Sequence, residues 1–325
     1  MSITTSYNFH GLGITICGSE AVSAALRSRL KHFLAEGLNG RTMHFEYRAV
    51  GLGVGHVVDR PAGAGRSIDD AGFMETIYYD SCDQLYVQCG DQLRVLCDLQ
   101  EGRVLLSIRD TIQNNVWLVS HPAFTVPFAE LLKRSGVFVM HAAGACVNGK
   151  AILFAGHSGA GKSTLSLAFL RNGLGYLGDD MVFLRMQPEG MRVLAFPDEI
   201  DVTDETIDLF PELHHLSHMP KSPGTRKRQM RAEEFYVVDM ISECEPGALV
   251  FPTVSGNARS VLSSMDANEA FLELVPNVIR TDLNSSQRHL DVLAALVKQS
   301  KCYRLHTGRD FDALPQLLRP LVESQ

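Results

Sequence analysis

The chain has 325 residues, 45% of them hydrophobic and 21% charged, a balance that suits a folded globular protein and argues against a disordered or membrane-spanning one. The formal net charge of −7 argues against nucleic-acid binding through a general basic surface. The opening residues carry neither a basic stretch nor a long apolar core, and no run reaches the ~18 apolar residues of a spanning helix, which predicts a cytoplasmic protein without a membrane partner.

In chain order, Tyr7–Cys17 reads as a strand, and residues 20–34 place Val22, Leu26, Leu30, Phe33 and Leu34 at helical spacing. Residues 50–67 hold five glycines and Pro61 and read as a loop. Between residues 75 and 119, the runs TIYY, QLYVQC, QLRVLCDL, RVLLSI and VWLV are separated by turn residues, the pattern of a β-meander. A helix is predicted over 124–133, with a domain boundary in front of it. The expected division is a β-rich α+β domain at 1–122 and an α/β domain at 123–325.

From residue 137 the pattern becomes strand, loop, helix. Residues 137–147 and 151–155 read as strands, 162–172 as a helix, and 181–184 and 192–196 as strands. Residues 201–231 show weak periodicity and read as a long loop with some helix. Residues 249–254 suit a strand, while 268–274, 286–298 and 311–322 suit helices. The seven cysteines are odd in number and include no C-x-x-C pair, which predicts reduced, mostly buried thiols.

The most specific feature is Gly156-His157-Ser158-Gly159-Ala160-Gly161-Lys162-Ser163, a full match to G-x-x-x-x-G-K-[ST], with Thr164 next. Wrapping phosphate needs tight turns and several inward-facing N–H groups, which the three glycines permit. The following helix adds the positive end of its dipole. Lys162 can reach the β- and γ-phosphates, and the Ser163 hydroxyl can ligate Mg²⁺. An apolar strand candidate precedes the loop and an apolar helix follows it, as nucleotide binding requires.

Asp179 and Asp180 follow Lys162 by only 17 and 18 residues. One helix of about three turns and a glycine turn bring them back to the loop. Adjacent carboxylates there can divide the work, one supporting a metal ion and the other taking a proton from an attacking hydroxyl. His141, on the strand candidate before the loop, either contacts the reacting phosphate, orients one of these acids, or is a hydrogen-bonded core histidine.

The run from His141 to Asp180 resembles the catalytic core of the bacterial HPr kinase/phosphorylase family, with a histidine, a short strand pair, the phosphate loop, one helix and Asp-Asp in the same order. Trp117, the segment from Cys302 to Leu305 and Gly308-Arg309-Asp310 are similar to small HPr-kinase-like proteins found beside peptide-modification genes. The resemblance implies a fold like that of phosphoenolpyruvate carboxykinase, ATP with Mg²⁺, and transfer to a serine hydroxyl. It implies Lys162 at the transferred phosphoryl group, Ser163 and Asp179 at the metal, Asp180 as general base and His141 completing the site. It also implies a homo-oligomer. The bifunctional enzymes carry a stretch like E-I-R-G after the Asp pair, whereas this chain has no Arg-Gly dipeptide. The resemblance therefore implies a monofunctional kinase acting on a serine-bearing protein or peptide.

Lys221–Arg231 places five basic residues in eleven positions, and Arg226, Lys227 and Arg228 are candidates to grip phosphate or an acidic substrate. Glu199 and Glu205 are candidate further metal ligands. His214, His215 and His218 form H-H-x-x-H, with no cysteine near to complete a metal set. No L-S-G-G-Q-like or N-K-x-D-like motif is present, which argues against a transporter-type ATPase and a GTPase. A small-molecule kinase and a nucleotide-sensing regulatory module are the competing readings.

Overall fold

The computed structural model describes residues 2–38, 40–70, 74–112, 115–222, 226–278 and 281–323. It is a mixed α/β chain with several sheets. Contacts group it into two units, Met1–Ser135 with Ile279–Ser286, and Gly136–Val278 with Gln287–Gln325. The break falls after the helix over 122–134, whereas the sequence pattern suggests a break before it.

The first unit opens with β1 (Ile3–Phe9), β2 (Leu12–Gly18), α1 (Glu20–Arg29) and β3 (Thr42–Val50). It continues with β4 (Arg66–Asp70), β5 (Glu75–Tyr79), β6 (Gln84–Cys89), β7 (Leu93–Asp98) and β8 (Arg103–Arg109). They form one sheet in the order β1-β2-β3-β8-β7-β6-β5-β4. The single strand read over Tyr7–Cys17 is a hairpin, because His10 and Gly11 both take positive φ (48° and 89°), the backbone of a tight reversing turn. The alternation of buried Met43, Phe45 and Tyr47 along β3 passes unnoticed in the sequence, hidden among charged neighbours.

The run VWLV, expected as a last strand, is the short helix α2 (Val116–Ser120). Its Asn115 side chain accepts from the Leu118 N–H at 3.1 Å, an N-cap that strand propensity alone does not weigh. The helix α3 (Pro122–Arg134) starts with proline at its first turn and supplies Phe124 and Phe128. Phe124 meets Phe45 at 5.0 Å and Phe128 meets Phe9 at 5.1 Å between ring centroids. Buried Glu130 pairs with Lys133 at 2.7 Å and accepts from Thr281 at 2.8 Å. Arg134 meets Asp282 at 2.8 Å, so residues 281–286 are tied to this unit by a charged network.

The second unit contains β9 (Val137–Met140), β10 (Ala142–Val147), β11 (Lys150–Ala155), α4 (Lys162–Arg171) and β12 (Gly175–Gly178). Next come β13 (Val182–Gln187), β14 (Gly190–Leu194), β15 (Ile200–Val202), α5 (Asp204–Leu209) and β16 (Arg228–Met230). Last are β17 (Glu243–Val254), β18 (Val261–Ser264), α6 (Ala267–Leu274), α7 (Leu283–Gln299), β19 (Lys301–Thr307), α8 (Leu314–Leu318) and α9 (Pro320–Glu323), with α7 divided between the units.

The main sheet runs β12-β10-β11-β17-β14-β13-β9, and β19 extends it from β17 with β18 beside it. The strands β11, β17 and β19 are parallel. Their carboxyl ends therefore lie together, the position where α/β sheets bind ligands. Apolar residues of α4 (Leu165, Phe169) pack with Ile152, Phe154, Val250 and Leu305. That packing seats the first turn of α4 beside those strand ends.

The segment read as a loop over 201–231 is more ordered than its weak periodicity suggests. It holds α5, a 3-10 helix over Pro211–His218, and β16 paired antiparallel with β15. Pairs as short as three residues leave too little sequence to show a period.

Candidate functional site

The loop from Gly156 to Gly161 joins β11 to α4. Gly156, Gly159 and Gly161 all take positive φ, at 154°, 83° and 98°. Gly161 is the N-cap of α4 in the left-handed region, where a side chain would strain the turn. The Lys162 ammonium folds back and donates to the carbonyls of Gly156 (2.8 Å) and His157 (3.2 Å), bracing its own loop. Burial pushes its pKa below the ordinary lysine value, while Asp180 and Asp179 pull the other way. His157 bonds through Nδ1 to the Ser158 carbonyl oxygen at 2.8 Å, and Ala160 is buried behind the loop.

The chain returns through β12 to the two acids, which occupy opposite environments. Asp179 is 3% exposed, and its Oδ2 accepts from the Ser163 hydroxyl at 2.7 Å. Its Oδ1 is buried, and the Ser166 hydroxyl beside the carboxylate helps to hold the charged form. Burial raises its pKa to about 6, opposed by the Ser163 bond and reinforced by the nearby Asp180 and Asp201 charges. Asp180 points outward, and its Oδ1 lies 3.2 Å from His141 Nδ1.

The expectation that His141 sits inside a strand is corrected. The apolar run 137–147 breaks at this residue into β9, which pairs with β13, and β10, which pairs with β11 and β12. The His141 side chain is 44% exposed, so it carries no burial cost. Its backbone N–H is held by Asn277 Oδ1 at 2.7 Å, which anchors the main chain from which the ring reaches Asp180.

These groups line one cleft of about 360 Å³ within the second unit. His141, Ser158, Gly159, Gly161, Lys162, Ser163, Thr164, Asp179 and Asp180 all line it, whereas Gly156, His157 and Ala160 of the same loop do not. Thr203, Glu205, Thr206 and Leu209 also line it, as do Val254, Thr307, Gly308 and Phe311. Of the last four, Gly308 belongs to the Gly308-Arg309-Asp310 run noted in the sequence, whereas Val254, Thr307 and Phe311 are given no site role there, because single residues at element ends carry no motif.

The basic run divides by geometry. Lys227 faces the cleft, 3.4 Å from Asp201 Oδ2. Arg228 is buried, bonds Asp204, and donates to the carbonyls of Met219 (2.7 Å) and Ser217 (2.9 Å), so its guanidinium is spent on the fold. Arg226 is exposed and does not line the cleft. Pro223, Gly224 and Thr225 of the same run lie outside the described residues. Of the two glutamates, Glu205 lines the cleft, whereas Glu199 pairs with Arg231 at 3.1 Å. The His215 ring stacks on Phe235 with centroids 5.1 Å apart, a packing role for that member of the histidine triplet.

A magnesium ion takes oxygen ligands and retains several waters. The Ser163 hydroxyl beside a buried carboxylate supplies oxygen donors that suit that chemistry.

No family model matches the chain, and no curated protein matches it. Among solved structures, the chain is similar to the Hpr(Ser) kinase/phosphatase from Coxiella burnetii, with 13% identity over 57% of this chain and 93% of that one, at a TM-score of 0.29. No described helix is long and apolar enough to cross a membrane.

Proposed function

We propose that the protein is an ATP-dependent kinase that transfers the γ-phosphoryl group to a hydroxyl, a serine of a protein or peptide. The observation that carries this reading is the pairing of Ser163 with Asp179 and of His141 with Asp180 on either side of Lys162 in one cleft. A nucleotide-sensing module needs the loop and the lysine. It has no use for an exposed carboxylate held in place by a histidine.

In this reading the loop N–H groups and the first turn of α4 hold the β- and γ-phosphates. Lys162 exchanges its loop carbonyls for phosphate oxygens and balances the charge of the transition state. Ser163 and Asp179 would hold Mg²⁺, which supplies charge neutralisation to the phosphates when bound. Asp180 accepts the proton of the acceptor hydroxyl as its oxygen bonds to the γ-phosphorus and the bond to the ADP leaving group breaks. His141 keeps the Asp180 carboxylate turned toward the acceptor.

The test is incubation of the full chain with γ-labelled ATP, Mg²⁺ and a peptide library or lysate, with Lys162→Ala alongside. Label on a protein or peptide serine, lost in the variant, supports the proposal. Label only in free phosphate or in a metabolite replaces it with an NTPase or a small-molecule kinase.

A further inference from the structure

Three apolar side chains from separate segments, Leu209, Val254 and Phe311, line the cleft beside its polar groups. Val254 ends β17 with 62% of its surface exposed, and Leu209 ends α5 with 39% exposed. Phe311 lines the same space, its ring 5.9 Å from that of Phe210. Apolar side chains open to water in one cleft offer a surface whose burial under an apolar ligand face is favourable. This wall adjoins the phosphate loop, since a Cβ placed on Gly161 would lie 3.5 Å from Val254 Cγ2.

Thr307 stands beside Val254 in the register of β19 and β17. It is only 4% exposed and lines the cleft, and its Oγ1 is a buried hydroxyl without a hydrogen-bond partner. Such a group is costly in the ligand-free protein. The backbone around it is fixed. Gly308 donates its N–H to Ser260 Oγ at 2.9 Å, and Asp310 Oδ1 accepts from the Ser260 N–H and hydroxyl at 2.9 and 2.6 Å. Gly308 is required there, because a Cβ would come within 2.4 Å of the Arg259 carbonyl carbon.

We infer that Val254, Leu209, Phe311 and the Thr307 hydroxyl form the nucleobase subsite, taking the flat face of a purine on the apolar wall and one polar edge atom on Thr307. This rests on the nucleotide reading above and deepens it. It places the base on the β17–β19 side of the loop and leaves the His141–Asp180 side for the acceptor.

The experiment compares binding of Mg-ATP with binding of Mg-tripolyphosphate, which has the phosphates without base or sugar. It uses the wild type, Thr307→Val and Leu209→Ala, measured by calorimetry, with the Tm of each ligand-free protein. The expected result is that each variant weakens ATP about tenfold, the size of one good hydrogen bond or apolar contact, and leaves tripolyphosphate unchanged. Thr307→Val, which removes an unsatisfied hydroxyl and keeps a β-branched shape, should hold or raise the Tm while ATP affinity falls. Equal loss for both ligands would make these residues supports of the phosphate loop and overturn the subsite. Unchanged ATP binding in both variants would overturn it as well. If the wild type bound neither ligand, the nucleotide reading itself would fail and the subsite with it.

Discussion

Asp179 and Asp180 are neighbours in sequence and opposites in setting: the first is 3% exposed and bonded to Ser163, and the second has a side chain 62% exposed beside His141. Successive residues leaving the end of β12 point to different sides, so the backbone delivers one buried and one exposed carboxylate to the same cleft.

The buried acid makes stability depend on pH. Its folded pKa of about 6 lies above the ordinary 3.8, so the folded protein keeps a proton that the unfolded chain gives up between those values. The sign follows: this stabilisation is complete below about pH 4 and is lost as pH rises through 6. Asp179→Asn should therefore be more stable than the wild type at pH 8, by up to about 3 kcal/mol, with the difference vanishing near pH 4. Urea denaturation across pH 4–8 in Mg²⁺-free buffer checks it. A variant no more stable than the wild type at pH 8 would show that the carboxylate is not paying a desolvation cost.

The same proton competes with any cation at Ser163 and Asp179. The rise in Tm produced by MgCl₂ should be larger at pH 8 than at pH 5.5, and Asp179→Asn should abolish it at both. A pH-independent rise that survives the substitution would locate cation binding elsewhere.

Asp180→Asn should leave nucleotide affinity within about threefold and lower the rate of transfer by about 10²–10⁴-fold, the usual worth of a general base. His141→Gln, which leaves the carboxylate present but unheld, should cost less, about tenfold, and mainly in kcat. Rapid-quench assays with a peptide acceptor, run beside nucleotide binding, separate the two. Wild-type turnover in Asp180→Asn would remove it from the mechanism.

The legibility of the site in the sequence follows from how local each part is. The glycine-rich loop is eight consecutive residues, and the three glycines singled out in its sequence, Gly156, Gly159 and Gly161, all take positive φ. The acids read as returning to the loop through one helix and one turn, while for His141 the sequence leaves three roles open. Thr307 and Val254 are invisible, because two parallel strands from distant segments bring them together and neither residue type announces a role. The histidine's setting is misjudged for a related reason: an unbroken apolar run hides a change of partner strand at a single residue. Likewise, the N-cap that favours a helix over VWLV is a side-chain acceptor, Asn115 Oδ1 receiving the Leu118 N–H, which β-propensity does not register.

The basic run offers the sharpest contrast between charge and role. Arg228 is buried against Asp204 and two backbone carbonyls, so Arg228→Ala would leave all three partners unmet and should cost about 2–3 kcal/mol. Asp204 is half-exposed and can recover some hydration, which keeps the figure below that of a fully buried pair. Lys227→Ala removes an outward pair with Asp201 and should cost under about 1 kcal/mol. Because the ammonium faces the cleft, that variant should instead raise the KM for ATP about tenfold. Arg226→Ala should change neither quantity. Urea melts with steady-state kinetics on the three variants test this ordering. Equal loss of activity without loss of stability across the three would mean that the run acts as one electrostatic patch, and that the division between a structural Arg228 and a cleft-facing Lys227 is wrong.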